Sequence, residues 1–213
     1  MSLPGLYAVV DHYTAAQHGW SVCGLARAYL AGGARLLQIR APDVGSGEYL
    51  AWCDEIISDA TEVGARVIVN DRADIAAMAG AAGLHLGQSD LDPDAARRIV
   101  ATGTLIGLST HTRPQLHAST VVALDYLAVG PIYHTGTKDT GYLPVGMDLV
   151  TYGARLRPER PIVAIGGITL DRVETVISAG ATSVAVISDL LDGNDPTRRV
   201  GDYVRALEES SAK

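Results

Sequence analysis

The segment HTGTKDTGY, residues 134–142, sets one lysine, Lys138, among hydroxyls and glycines. Thr135 and Thr137 flank Gly136, and such a run can form an anion-binding nest beside the lysine charge. A solvated loop charge is the competing reading for Lys138, because lysines are seldom buried. Arg40 closes the apolar run RLLQIR. It can grip phosphate oxygens bidentately or pair with an aspartate nearby. Asp71 and Asp90 offer two carboxylates, and Mg²⁺ is commonly held by one or two carboxylates plus water and substrate phosphate. Each also precedes a helical pattern and so reads equally as an N-cap. Gly166 and Gly167 either let backbone N–H groups approach a phosphate or make a tight turn. His85, His111 and His134 have no partner visible in the sequence and read as packed or rim histidines.

Groups scattered over this much chain act together only if the fold gathers them. Eight short apolar runs recur: LYAVVD (6–11), RLLQIR (35–40), RVIVND (66–71), GLHLG (83–87), LIGLST (105–110), YLAVGPI (126–132), PIVAIGG (161–167) and SVAVIS (183–188). Several are apolar at successive positions, as in parallel strands covered on both faces. Between them lie patterns of helical period, several closing on glycine, and Asp92-Pro93 fits an N-cap followed by the first helical position. Eight strands alternating with eight helices, with no linker, predict an α/β chain folded as a single-domain (β/α)₈ TIM barrel over residues 1–213. No GxGxxG follows the first run, which speaks against an open dinucleotide-binding sheet.

A barrel of this kind carries its chemistry at the C-terminal ends of its strands. That rim collects Asp11, Gln38, Arg40, Asn70, Asp71, Gln88, Asp90, Ser109, His111, Thr135, Thr137, Lys138, Gly166, Gly167 and Ser188. The loops after the seventh and eighth strands, with Gly167 and with Ile187-Ser188, are where many such barrels hold a phosphate. Of the 213 residues, 17 are basic and 24 acidic, a net charge of −7 with no basic block. No nucleic-acid partner is expected from this balance. The two cysteines, Cys23 and Cys53, read as free thiols of a reducing compartment. No apolar run reaches membrane-spanning length and no secretory pattern opens the chain, so a cytoplasmic protein without a membrane partner is expected.

Taken together, QIR (38–40), VNDRADIA (69–76), GLHLGQSDL (83–91), IGLSTHT (106–112), DYLAVGPIYHTGTKDTG (125–141), PIVAIGGIT (161–169) and VAVIS (184–188) resemble the thiamine-phosphate synthase family, in order and spacing. The resemblance implies a barrel transferase that joins hydroxymethylpyrimidine diphosphate to a thiazole phosphate, releasing diphosphate. It implies Mg²⁺ on Asp71 and Asp90. It implies pyrimidine-diphosphate contacts from Gln38, Arg40, Asn70, Ser109 and Lys138, with Arg40, Ser109 and Lys138 as the catalytic set. Thiazole-phosphate contacts would come from Thr135, Gly136, Thr137, Gly167, Ile187 and Ser188. One position departs from the family pattern: Pro42 stands where a second cation is expected after Arg40. Arg72 is the candidate replacement, against a surface salt bridge as its other reading. A thiazole tautomerase-like relative and a noncatalytic thiazole-phosphate-binding barrel fit the same fold. The oligomeric state, a homo-oligomer included, stays open.

Overall fold

The computed structural model describes residues 3–136 and 141–211. Eight parallel strands close into a barrel in sequence order. They are β1 (Leu6–Asp11), β2 (Leu36–Arg40), β3 (Arg66–Asn70), β4 (Gly83–Leu86), β5 (Leu105–Thr110), β6 (Tyr126–Val129), β7 (Ile162–Ile165) and β8 (Ser183–Val186). β8 returns to β1 with Leu6 opposite Val184 and Ala8 opposite Val186, which closes the ring. Several strands stop short of the apolar runs that predict them. β6 ends before Gly130-Pro131 and β7 before Gly166. Proline has no N–H for a ladder, and Gly166 and Gly167 take positive φ, outside strand geometry.

Among the described residues nine α-helices wrap the barrel: α1 (His12–Gln17), α2 (Val22–Ala31), α3 (Ser46–Glu62), α4 (Ala73–Met78), α5 (Pro93–Arg97), α6 (Arg113–Ala118), α7 (Gly146–Leu156), α8 (Val173–Ser178) and α9 (Pro196–Ser211). The expectation of eight misses α1. It is six residues long, too short for a period to show, and it begins because the Asp11 carboxylate accepts from Thr14 N. A 3₁₀ segment, Ser188–Asn194, also follows β8. α5 begins as predicted, with Asp92 as N-cap and Pro93 inside the first turn.

Alternation along each strand divides the side chains between two buried layers. Ala8, Val10, Leu37, Ile39, Val67, Val69, Leu84 and Leu86 face outward and pack under the helices. Tyr7, Val9, Leu36, Ile68, Leu105, Tyr126, Ala128, Val163 and Ala185 face inward and fill the barrel floor. The inward positions that continue upward from this floor are Gln38, Arg40, Asn70, His85, Ser109, Ile165, Gly167 and Ile187. The same parity that builds the core therefore delivers polar groups to the mouth. Both cysteines are free and buried in the outer layer; burial pushes the Cys23 thiol up to about 11 and the Cys53 thiol up to about 12.

The floor leaves no spare volume on β4 and β5. A Cβ on Gly83 would stand 2.4 Å from Ile68 Cδ1, and one on Gly107 would stand 2.0 Å from Cζ of Tyr126. Tyr126 therefore lies across β5 in space that only glycine leaves open. Gly107→Ala should lower stability by at least about 1–3 kcal/mol, the range for overpacking a filled core. Gly47→Ala, on the exposed face of α3 with nothing within 4 Å of its Cβ, should be neutral or mildly stabilising. Urea unfolding midpoints of the two variants check this; equal losses would contradict the packing account.

Candidate active site

The mouth of the barrel holds a cavity of about 790 Å³, its open entrance included. Gln38, Arg40, Asn70 and Ser109 line one side, from β2, β3 and β5. Thr135, Gly167, Ile187 and Ser188 line the other, from the segments after β6, β7 and β8. Eight of the residues assigned to the two substrates thus face one space. Thr137 and Lys138 lie outside the described residues, while Gly136, Asp71 and Asp90 do not line the cavity itself.

Arg40 pairs with an aspartate, one of the two readings its residue type allows. Its Nη1 donates to Asp11 Oδ2 at 2.5 Å, and the Asp11 carboxylate is buried. Asp11 Oδ1 accepts from Thr14 N at 2.9 Å and Thr14 Oγ1 at 2.7 Å. The aspartate is thereby fixed from two directions and holds the guanidinium at the cavity wall. Arg40 Nε is buried and has no hydrogen-bond partner among the described residues. A buried donor left over beside a cavity fits a site completed by an anionic ligand.

Neither candidate metal aspartate caps a helix. The N-cap of α4 is Arg72, and that of α5 is Asp92. Asp71 sits at the end of β3 with φ of +64°, a left-handed conformation that usually disfavours a residue other than glycine. Its N–H still extends the ladder, donating to His85 O at 2.8 Å. Asp90 accepts from Gly87 N at 2.7 Å, folding the loop after β4 back on itself. Gln88 Nε2 ties that loop to Ser109 O at 2.6 Å. The capping reading falls for both carboxylates. Among the described residues no cluster of three or more metal-binding side chains forms. Two carboxylates of hard oxygen character match the sparse protein ligation that Mg²⁺ takes when a substrate phosphate completes it.

Gly166 and Gly167 have a packing reason for being glycine. Both take positive φ, and a Cβ would meet Pro131 at 2.7 Å and His134 O at 2.4 Å respectively. Arg172 Nη1 braces the turn by donating to Gly167 O at 2.7 Å. Close packing and close approach to a ligand coincide here, because both glycines also line the cavity. Arg72 does not replace the missing cation. Its Nε and Nη2 grip both oxygens of Asp74, and Nη2 also donates to Ser46 Oγ at 3.0 Å. That hydrogen bonding holds the Asp74 carboxyl below its usual range.

Comparison with known proteins follows the same residues. A family model described as thiamine monophosphate synthase matches residues 6–190. The chain belongs to that family. The thiamine-phosphate synthase of Koribacter versatilis is 39% identical over 209 residues, covering 97% of each chain. That of Thermus thermophilus is 40% identical over 180 residues, covering 84% of each. A solved structure, thiamine phosphate pyrophosphorylase from Pyrococcus furiosus, superposes with a TM-score of 0.87 at 25% identity, covering 96% of both chains. The family match spans β1 through β8, so every wall of the cavity lies within it. No helix among the described residues is long and apolar enough to cross a membrane.

Sequence reasoning placed Asp11 at the rim without a role; its role here is to hold Arg40. His85, largely buried, and Asp189, paired with Arg199 at 2.7 Å, also line the cavity. Tyr7 and Tyr126 were missed, although inward parity on β1 and β6 would have found them. The strained backbone at Asp71 yields a test. Asp71→Gly should be about 1 kcal/mol more stable than Asp71→Ala, because both lose the carboxylate and only glycine accepts φ of +64° freely. Equal stability of the two variants would remove left-handed strain from this position. Thermal unfolding in the absence of Mg²⁺ separates the two.

Proposed function

We propose that this chain joins hydroxymethylpyrimidine diphosphate to a thiazole phosphate, forming thiamine phosphate and diphosphate. Family membership supports the reaction, and the shared cavity supports its geometry. One observation carries the reading: Gln38, Arg40, Asn70 and Ser109, assigned to one substrate, and Thr135, Gly167, Ile187 and Ser188, assigned to the other, line the same cavity. Two reactants held against each other in one site turn a bimolecular step into an effectively unimolecular one.

The reaction breaks the bond between the pyrimidine methylene carbon and the diphosphate oxygen. The bonding electron pair leaves with the diphosphate, and the thiazole nitrogen lone pair forms the new carbon–nitrogen bond. Charge grows on the departing oxygen, so groups that bind it more tightly as the bond stretches accelerate the step. Arg40, held by Asp11, presents its remaining donors to that charge. Lys138, assigned on sequence alone, adds a second cation. Gln38, Asn70 and Ser109 seat the pyrimidine end. Thr135, Gly136, Thr137, Gly167, Ile187 and Ser188 seat the thiazole phosphate. Asp71 and Asp90 carry the same sign of charge as the diphosphate, so they belong beside it only with a cation between them. Mg²⁺ is that cation in this reading, and bound there it would offset charge on the leaving group.

The missing cation at Pro42 has no substitute in Arg72, so Arg40, Lys138 and the metal carry the diphosphate. One charged hydrogen bond contributes roughly 1.5–3 kcal/mol, about tenfold to a hundredfold in rate if it acts on the transition state. The native protein should release diphosphate only when both substrates and Mg²⁺ are present, and Pro42→Lys should raise kcat/KM for the pyrimidine substrate about tenfold. Isomerisation of the thiazole alone would identify a tautomerase. Binding of thiazole phosphate without turnover in either form would identify a noncatalytic barrel. A coupled assay for diphosphate, run with each substrate omitted in turn, decides among these outcomes.

A further inference from the structure

Beneath the cavity runs a line of five side chains from five different strands. Gln38 Nε2 donates to Tyr7 Oη at 2.8 Å, and Tyr7 Oη meets Tyr126 Oη at 2.9 Å. Tyr126 Oη meets His85 Nδ1 at 3.0 Å, and His85 Nε2 meets Ser109 Oγ at 2.9 Å. Tyr7 and Tyr126 are each 1% exposed, and their rings meet edge to face at 6.0 Å. His85 stacks on Tyr126 with ring centroids 5.7 Å apart. The line ends at Gln38 and Ser109, which line the cavity together with His85.

With the Gln38 amide nitrogen on Tyr7 Oη, counting hydrogens gives the direction of the line. Burial raises both phenols well above their ordinary range, so each keeps its hydrogen and must donate it. Tyr7 receives from Gln38, which leaves Tyr126 as the acceptor of its own hydrogen. Tyr126 then donates to His85 Nδ1, which must be a bare lone pair. His85 Nε2–H donates to Ser109 Oγ, and the Ser109 hydrogen remains for the cavity. A doubly protonated His85, or the other tautomer, would turn Tyr126 around, and Tyr7 would then find an acceptor only if the Gln38 amide turned over as well. A buried donor without an acceptor is among the costlier defects a core can carry.

We propose that Tyr7, Tyr126 and His85 are positioning residues that fix which hydrogen-bonding group each end of this line shows the substrate. The amide nitrogen of Gln38 is pinned on Tyr7. Its Oε1, which no described residue hydrogen-bonds, faces a ligand as an acceptor. Ser109 faces it as a donor. The pair suits an aza-aromatic ring that offers an exocyclic amino hydrogen and a ring-nitrogen lone pair, the edge of an aminopyrimidine. A ring bearing an oxo group in place of the amino group meets an acceptor with an acceptor. The inference rests on assigning Gln38 and Ser109 to the pyrimidine substrate. It adds the buried device that sets their polarity.

Two measurements test it. Nitrogen NMR of the ligand-free protein at neutral pH should show His85 with Nε2 protonated and Nδ1 bare. In Tyr126→Phe the Nδ1 resonance should shift, because its lone pair loses the phenol donor, while Nε2 stays protonated on Ser109. An Nδ1-protonated or doubly protonated His85 in the native protein overturns the assigned direction. In Tyr7→Phe the Gln38 amide is free to turn over. KM for the pyrimidine diphosphate should rise about tenfold, with KM for the thiazole phosphate unchanged. Preference for the amino substrate over its oxo analogue should fall about tenfold. Equal changes in both KM values with the preference intact would reduce the tyrosines to core packing. Gln38→Ala separates the levels. If it leaves pyrimidine KM unchanged, the substrate assignment fails, while the NMR result still reads the direction of the line.

Discussion

A guanidinium at the mouth of this barrel is held by a carboxylate that water barely reaches. Asp11 gives one oxygen to Arg40 and the other to the backbone and hydroxyl of Thr14. The same side chain therefore starts α1, closes the top of β1 and fixes the main described cation of the cavity wall. A buried pair of this kind adds little net stability, since desolvation offsets attraction, but losing either partner leaves a charge uncompensated. Its value lies in position: the arginine cannot swing away when the cavity is empty. Its consequence is electrostatic, because Arg40 arrives at the site already largely neutralised.

That neutralisation shapes the rest of the mouth. Pro42 brings no charge where the family pattern carries one, and Arg72 is committed to Asp74. Asp71 and Asp90 add negative charge on the loops after β3 and β4. An anionic ligand would meet a poor welcome from these groups alone. In the proposed reaction a divalent cation on these carboxylates would change the sign of the site. The strained backbone of Asp71 fits that view, since left-handed strain at residues other than glycine clusters where function requires it.

The barrel was legible because its signal is local. Eight apolar runs, each stopped by a polar or small residue, need no long-range knowledge, and the closed sheet follows their number and order. Gln38, Arg40, Asn70 and Ser109 were legible for the same reason: each closes or nearly closes such a run. Contacts between distant strands were not legible. Tyr7 and Tyr126 lie 119 positions apart, and only barrel closure brings their hydroxyls together. The capping reading of Asp71 and Asp90 was a reasonable local inference that tertiary structure overrode. Asp92 took the cap of α5, and the backbone at Asp71 turned left-handed. α1 escaped because its six residues depend on a single side-chain cap rather than a repeating pattern.

The central claim is that the mouth accepts diphosphate as a metal complex and rejects it bare. Calorimetric titration of inorganic pyrophosphate into the native protein, with Mg²⁺ and then with chelator, addresses it without any turnover. Binding that appears with Mg²⁺ and weakens at least about a hundredfold without it is the predicted result, the scale of a lost charge-bridging interaction. Equal affinity under both conditions would contradict the account, for it would mean that Arg40 and its neighbours hold the anion unaided.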